Sequence, residues 1–420
     1  MNFCAIDFGT SNSAVALPAQ GAARHGVRLA PVEWGHTTLP TAVFFNVDED
    51  TRVFGRSAIE SYIDGYDGRL MRSMKSILGS PLAEQSTELG DGSAVRYLDV
   101  IALFLHHLKQ CADVAAGRPV ERAVLGRPVF FVDDDPRADQ LAQDQLKMAA
   151  HAVGFRHVEF QFEPIAAAFD YESRLESERL VLVADIGGGT SDFSLVRVGA
   201  QRARMLDRQS DVLGHHGVHM AGTDFDRRVE LVSILRELGY QSLDKQGREV
   251  PNRIYFDLAT WHLINTVYTP KRVGELRLTQ YVYAQPRYYD RLMHVIDARL
   301  GHALAGLAEQ AKIDVAAGGR VTLELSRIEP ELTVDFSEAA LLEAAQEEIR
   351  RIADAARDTL RQAGVAAADL GAVYFTGGTT GLRCLTGAIG AAFPRAEKVF
   401  GDRLASVATG LGIHAQRLFG

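Results

Sequence analysis

Three stretches of the sequence combine glycine, hydroxyl and carboxylate residues in a pattern suited to phosphate chemistry. In Asp7-Phe8-Gly9-Thr10-Ser11-Asn12-Ser13, the glycine lets the backbone turn tightly enough for N–H groups to aim at an anion. The flanking hydroxyls add donors that do not oppose its charge. Asp7, at the end of an apolar run, is placed to hold the water shell of a phosphate-bound Mg²⁺. Taken alone, this stretch reads more readily as an ordinary hairpin turn. In Asp185-Ile186-Gly187-Gly188-Gly189-Thr190-Ser191-Asp192, three consecutive glycines follow a second apolar run. Glycine has the most conformational freedom to lose on folding, so a close backbone approach to a ligand is the natural reason for such a run. Asp185 and Asp192 bring more negative charge than a structural turn needs. Two such loops, face to face, form a clamp for a triphosphate. In Tyr374-Phe375-Thr376-Gly377-Gly378-Thr379-Thr380 the side-chain-free backbone suits an adenine or ribose, and an ordinary strand-to-helix turn explains it equally well.

The elements that position these loops follow from apolar spacing. Residues 3–7 and the alternating 13–17 predict a β-hairpin around the first loop. Residues 179–184 and 194–198 predict another around the second, so one β-turn-β unit occurs twice and two related halves are expected. Leu98, Ile101, Leu105 and Leu108 recur at helical spacing between 96 and 116, and 122–125 reads as a buried strand. Asp133-Asp134-Asp135 before Pro136 is a helix start signal for 136–153. Further helices are expected over 223–238, from a Ser337 cap to about 363 and from about 403, with a strand over 372–375. Residues 239–289 show little periodicity and read as an irregular, elaborated subdomain.

The chain has 420 residues, 47% of them hydrophobic and 24% charged, enough for two or more cores. Its net charge of −9 and lack of basic runs disfavour nucleic acid, whose binding draws on clustered Lys and Arg. No signal-peptide pattern and no run of about 18 apolar residues occurs, which points away from membranes. Cys4, Cys111 and Cys384 are odd in number and far apart, as expected of thiols in a reducing cytoplasm.

Read in order, Ala5-Ile-Asp-Phe-Gly-Thr-Ser-Asn-Ser13, Phe162-Glu-Pro-Ile-Ala-Ala-Ala168, Ala184-Asp-Ile-Gly-Gly-Gly-Thr-Ser-Asp192, Ala221-Gly-Thr-Asp-Phe-Asp226 and Phe375-Thr-Gly-Gly378 resemble the signature series of the DnaK-type heat-shock chaperones. Gly126-Arg127-Pro128, Leu213-Gly-His and Met71-Arg-Ser-Met-Lys-Ser-Ile-Leu-Gly79 are similar to the YegD-type members. The resemblance implies an α/β, actin-like ATPase fold of ribonuclease H-like duplicated lobes with ATP or ADP in the interlobe cleft. Its lobes would be 1–176, with 34–98 inserted, and 177–400, with 215–331 elaborated, the helix 401–420 returning to the first. By the same resemblance Asp7 and Asp185 hold hydrated Mg²⁺. Gly9, Thr10, Ser11, Asn12, Gly187, Gly188, Gly189 and Thr190 contact phosphates, and Glu163 and Asp192 order the attacking water, with Thr190 and Lys75 in the catalytic set. Gly222, Glu309, Lys312, Gly377, Gly378 and Thr379 line the adenosine pocket. Without the resemblance, Glu309 and Lys312 read as a helix-surface ion pair.

The sequence departs from that family at several points. Its catalytic lysine, in a Gly-x-x-Ala-Lys context, is Ile59 here, which leaves Arg72 or Lys75 as the cation for the transferring phosphoryl group. An adenine-stacking arginine is replaced by Ile313 and a late acid by Leu404. No counterpart of the family's client-binding β-sandwich and lid is expected in these residues. The implied function is a slow ATPase whose lobe closure regulates a protein partner or co-chaperone, working as a monomer. A sugar-type kinase or an actin-like filament of the same fold is the alternative. His215, His216 and His219 lack a complete metal-ligand set, and Tyr281, Tyr283, Tyr288 and Tyr289 read as subdomain core or a protein-binding surface.

Overall fold

In the computed structural model, which describes residues 2–19, 26–90 and 92–420, the chain divides into two compact units. One comprises Met1–Val218, Ala355–Gly378 and Ala392–Gly420, and the other His219–Asp354 and Thr379–Ala391.

The first unit is built on two sheets of the same order. Strands His157–Phe162, Arg122–Arg127 and Phe3–Phe8 run parallel, and Asn12–Pro18 and then Val27–Leu29 continue antiparallel. In the second sheet Glu397–Phe400, Ala372–Thr376 and Arg179–Ile186 run parallel, followed by antiparallel Ser191–Val198 and Val212–Val218. The duplicated hairpin expected from the sequence is therefore the visible part of a duplicated five-strand path. Inner strands carry Val, Ile, Leu and Ala on both faces, because helices cover both.

One core joins the two sheets. Helices Glu163–Glu172 and Ser406–Phe419 pack Ile165, Ala168, Phe169, Leu411 and Ala415 against Phe3 and Val124 of one sheet and Val181 and Tyr374 of the other. A Cβ at Gly410 would stand 1.9 Å from the Ala166 carbonyl oxygen, so only glycine allows these helices to approach so closely. Helices Tyr97–Ala116 and Pro136–Ala152 contribute to a second core with Cys4, Ile6 and Val15, and Asp135 caps the latter by accepting from the Arg137 and Ala138 amides. A three-stranded sheet with Ala42–Asn46 between Thr51–Phe54 and Gly68–Arg72 carries a small cluster of Ala42, Phe44 and Ala58.

The second unit corrects three expectations. Residues 239–289 are only partly irregular: turns and isolated bridges fill 239–252, and the helices Arg253–Leu258, Ile264–Val267 and Pro270–Arg277 follow. These are too short for a 3.6-residue period to stand out. Tyr283 and Tyr289 are buried here, whereas Tyr281 is 76% exposed. The helix expected over 223–238 is Gly222–Val232 followed by a 3₁₀ turn, Leu235–Leu238, with the Ser233 hydroxyl turned back onto the Val229 carbonyl at 2.6 Å. Ser337 caps as expected, but the helix breaks at Ala345 into Glu338–Ala344 and Gln346–Gln362. In the first unit the last helix starts at Ser406, because the Asp402 side chain accepts from the Leu404 and Ala405 amides and forms a turn first. Among the described residues no helix is long and apolar enough to cross a membrane.

Candidate functional site

The first loop is held from behind. Asp7 stands opposite Ala14, one residue before its strand ends at Phe8, and the chain turns through Gly9. A Cβ there would lie 2.2 Å from the Asn12 carbonyl oxygen, so the turn excludes any side chain. Thr41 locks it: its amide donates to Ser11 O at 2.9 Å, its hydroxyl donates to Gly9 O at 2.8 Å, and that hydroxyl lies 2.9 Å from the buried Ser13 Oγ. Sequence reasoning missed Thr41, which stands in no motif.

The second loop is closed by the Gly187 amide donating to Thr190 O at 3.0 Å, and Asp185 stands opposite Asp192 across the hairpin. A Cβ at Gly188 would lie 2.9 Å from Ser11 Oγ, so the two loops face one another at contact distance. Gly189 has open space around its Cβ position. Gly377 also packs here: with φ +87° and a Cβ position 2.6 Å from Asp185 Oδ1 and 2.4 Å from Ile186 O, it must be glycine. Gly378 has only Leu404 nearby.

Behind the loops one cation meets four carboxylates. Met74 and Leu78 are buried in the core and fix the short 3₁₀ turn Met74–Ile77, burying Lys75 with them. The Lys75 ammonium donates to Oε1 of Glu163, the first residue of its helix. A Cβ at Gly126 would come within 3.1 Å of that Glu163 carboxylate. Desolvation, then Glu163 and Asp185, push the Asp7 carboxyl well above the usual carboxylate range, with Lys75 opposing. Desolvation, then Asp192 and Glu163, raise Asp185 to about 7, again against Lys75. Ile59, at the family-lysine position, packs against the Ala42, Phe44 and Ala58 cluster, and Arg72 is exposed. Lys75 is brought to the Glu163 carboxylate. His215 lies 3.1 Å from Ser194 Oγ and 3.9 Å from Asp192 Oδ1, and burial lowers its pKa.

This cluster fits a divalent cation. Burial first, and the neighbouring carboxylates after it, raise Asp7 and Asp185, so a cation brought among these groups favours their charged forms. Among the described residues no three His, Cys, Asp or Glu side chains are gathered as a direct ligand set for a metal ion.

In the second unit Lys312 is buried, with Nζ 2.6 Å from Asp226 Oδ1 and 3.5 Å from Gly222 O. Burial raises Asp226 to about 6 against the pull of Lys312, and burial beside Asp226 pushes Glu230 well above its ordinary range. Glu309 is exposed, so Lys312 pairs with Asp226 and the reading of a Glu309–Lys312 surface pair is corrected. The pairing of Asp226 was not visible in the sequence, where that residue only closes a motif. Thr379 is buried in the 3₁₀ turn Gly378–Gly381. Ile313 and Leu404 are exposed.

Two sheets of one repeated order, each delivering a glycine loop to a shared carboxylate cluster, are the framework of the actin-like ATPases. A family model described as Hsp70 protein matches residues 3–242, more than half of the chain. The chain belongs to the Hsp70 family, and with it to the ATP-binding, chaperone-like proteins of the actin-like ATPase fold. The match takes in both phosphate loops, Lys75, Glu163 and Asp226, and ends before Glu309, Lys312 and Gly377.

Proposed function

We propose that this protein binds Mg²⁺·ATP between the Asp7–Ser13 and Asp185–Asp192 loops, hydrolyses it slowly, and uses the change to regulate a protein partner. The observation that carries this reading is the approach of Gly188 to Ser11, which sets two anion-binding turns face to face over a cluster short of positive charge. Gly9, Thr10, Ser11 and Asn12 on one side and Gly187, Gly188, Gly189 and Thr190 on the other offer amides and hydroxyls to phosphate oxygens. Asp7 and Asp185 hold the water shell of Mg²⁺, which when bound screens the phosphates from the carboxylates. Glu163 and Asp192 orient the attacking water, and Lys75 supplies the cation that Ile59 cannot. Gly222, Glu309, Lys312, Gly377, Gly378 and Thr379 accommodate the nucleoside.

The loops belong to different sheets, so loss of the terminal phosphate removes contacts that tie one to the other and shifts a conformational equilibrium. In this reading the lobes are 1–176, with 34–98 inserted, and 177–400, with 215–331 elaborated, and the helix 401–420 returns to the first. We assign the protein to the YegD-type branch and to the cytoplasm, acting as a monomer on a protein partner or co-chaperone. Calorimetry with ATP and Mg²⁺ tests the binding, which Gly188→Val weakens by pushing on Ser11. Single-turnover hydrolysis by the wild type, Asp192→Ala and Lys75→Ala tests the chemistry. An intact protein that binds no nucleotide ends this reading.

A further inference from the structure

Residues between 251 and 283, beyond the family match, line a half-open cavity of about 450 Å³ within the second unit. That is the size range of small-molecule sites. Its wall carries three cations, Arg253, Lys271 and Arg272, and its apolar lining includes Ile254, Leu276 and Tyr283. The floor is fixed: Tyr283 is buried, and its hydroxyl lies 2.9 Å from that of Tyr255, which donates to Leu238 O at 2.9 Å.

The charges on the wall do not balance. The buried Asp257 carboxylate lies 2.6 Å from Arg272 and 3.8 Å from Arg253, so one anion pins two guanidinium groups. Lys271 is exposed and makes no ion pair among the described residues. Glu275 is the carboxylate among the lining residues, which do not include Asp257. Three positive groups therefore meet two negative ones above an apolar floor, and an anion with an apolar body would answer both features.

We propose that this cavity binds a small organic anion, a carboxylate carried on an aryl or alkyl body, with the carboxylate against Lys271 and Arg272 and the body over Ile254, Leu276 and Tyr283. The site is separate from the phosphate loops, so its test does not depend on nucleotide chemistry.

The probe is 4-phenylbutyrate, titrated into the intact protein and followed through the Ile254 and Leu276 methyl resonances, with the uncharged 4-phenylbutanamide as control. A saturable shift of both methyls by the acid is expected, with the amide about tenfold weaker because it forgoes a charge-assisted contact. Lys271→Gln, a surface exchange that leaves the fold intact, weakens the acid and leaves the amide unchanged. Leu276→Trp fills the cavity and removes both. ATP affinity, measured alongside, does not change in Lys271→Gln. No saturable shift at millimolar probe, equal binding of acid and amide, or indifference of the acid to Lys271→Gln overturns the proposal.

Discussion

The two phosphate-loop hairpins occupy equivalent places in equivalent sheets, yet they hold their shape by different means. The Asp7–Ser13 loop is tied by Thr41 to the carbonyls of Gly9 and Ser11, and its one glycine is demanded by its own backbone, 2.2 Å from Asn12 O. The Asp185–Asp192 loop is closed by the Gly187 amide donating to Thr190 O, and a Cβ at Gly188 would meet Ser11 of the other loop, whereas one at Gly189 would meet open space. The first hairpin is a fixed jaw. In the second, Gly189 has open space at its Cβ position.

Removing the cation shared by the two jaws has the largest expected effect. Lys75→Met leaves Glu163 without its buried partner and costs on the order of 3 kcal/mol of stability in chemical denaturation. Hydrolysis in single turnover disappears with it. A variant of wild-type stability would mean that the carboxylates are balanced without Lys75.

The glycines then separate the jaws. Gly9→Ala forces a methyl against Asn12 O and costs about 1–3 kcal/mol, with nucleotide binding lost because the turn itself is deformed. Gly189→Ala changes stability by less than about 0.5 kcal/mol, and calorimetry should show weaker ATP binding all the same. Equal destabilisation by the two would erase the distinction between a fixed and an open jaw. Thr41→Val is smaller again. It removes the hydroxyl bond to Gly9 O and the contact with Ser13 but keeps the amide bond to Ser11, for about 1 kcal/mol.

The jaws were legible in the sequence because everything that makes them, an acid, glycines and hydroxyls at a strand end, is contiguous. What locks and neutralises them was not. Thr41 reaches Gly9 across 32 positions and Lys75 reaches Glu163 across 88, and neither pairing leaves a local pattern. Lys75 could be named only as one of two cations left once Ile59 was seen at the family-lysine position. The repeated hairpin was readable, but the full five-strand repeat draws strands Ala372–Thr376 and Glu397–Phe400 from far along the chain. In 239–289 the helices are held by tertiary contacts such as Tyr255–Tyr283, and their length is too small for periodicity to register.

Both jaws carry a carboxyl that burial raises, Asp7 in the first and Asp185 in the second, and the smallest effect is read at the second. Asp185 has a folded pKa of about 7 against its ordinary 3.8, raised by desolvation and by Asp192 and Glu163. A carboxyl raised on folding binds a proton more readily in the native state. Its stabilising contribution is full below the unfolded value of 3.8 and is lost as pH rises through about 7. In the nucleotide-free protein, stability should therefore fall between about pH 4 and pH 8 through this group. Asp185→Asn should flatten that slope, because an amide holds its neutral form at every pH, whereas Asp192→Asn should lower the midpoint of the wild-type slope by removing one of the charges that raise it. Urea denaturation across that range without nucleotide reads both effects. If Asp185→Asn leaves the pH profile of the wild type in place, burial among carboxylates does not raise Asp185 at the second jaw, and the case for a cation-seeking cluster there fails with it.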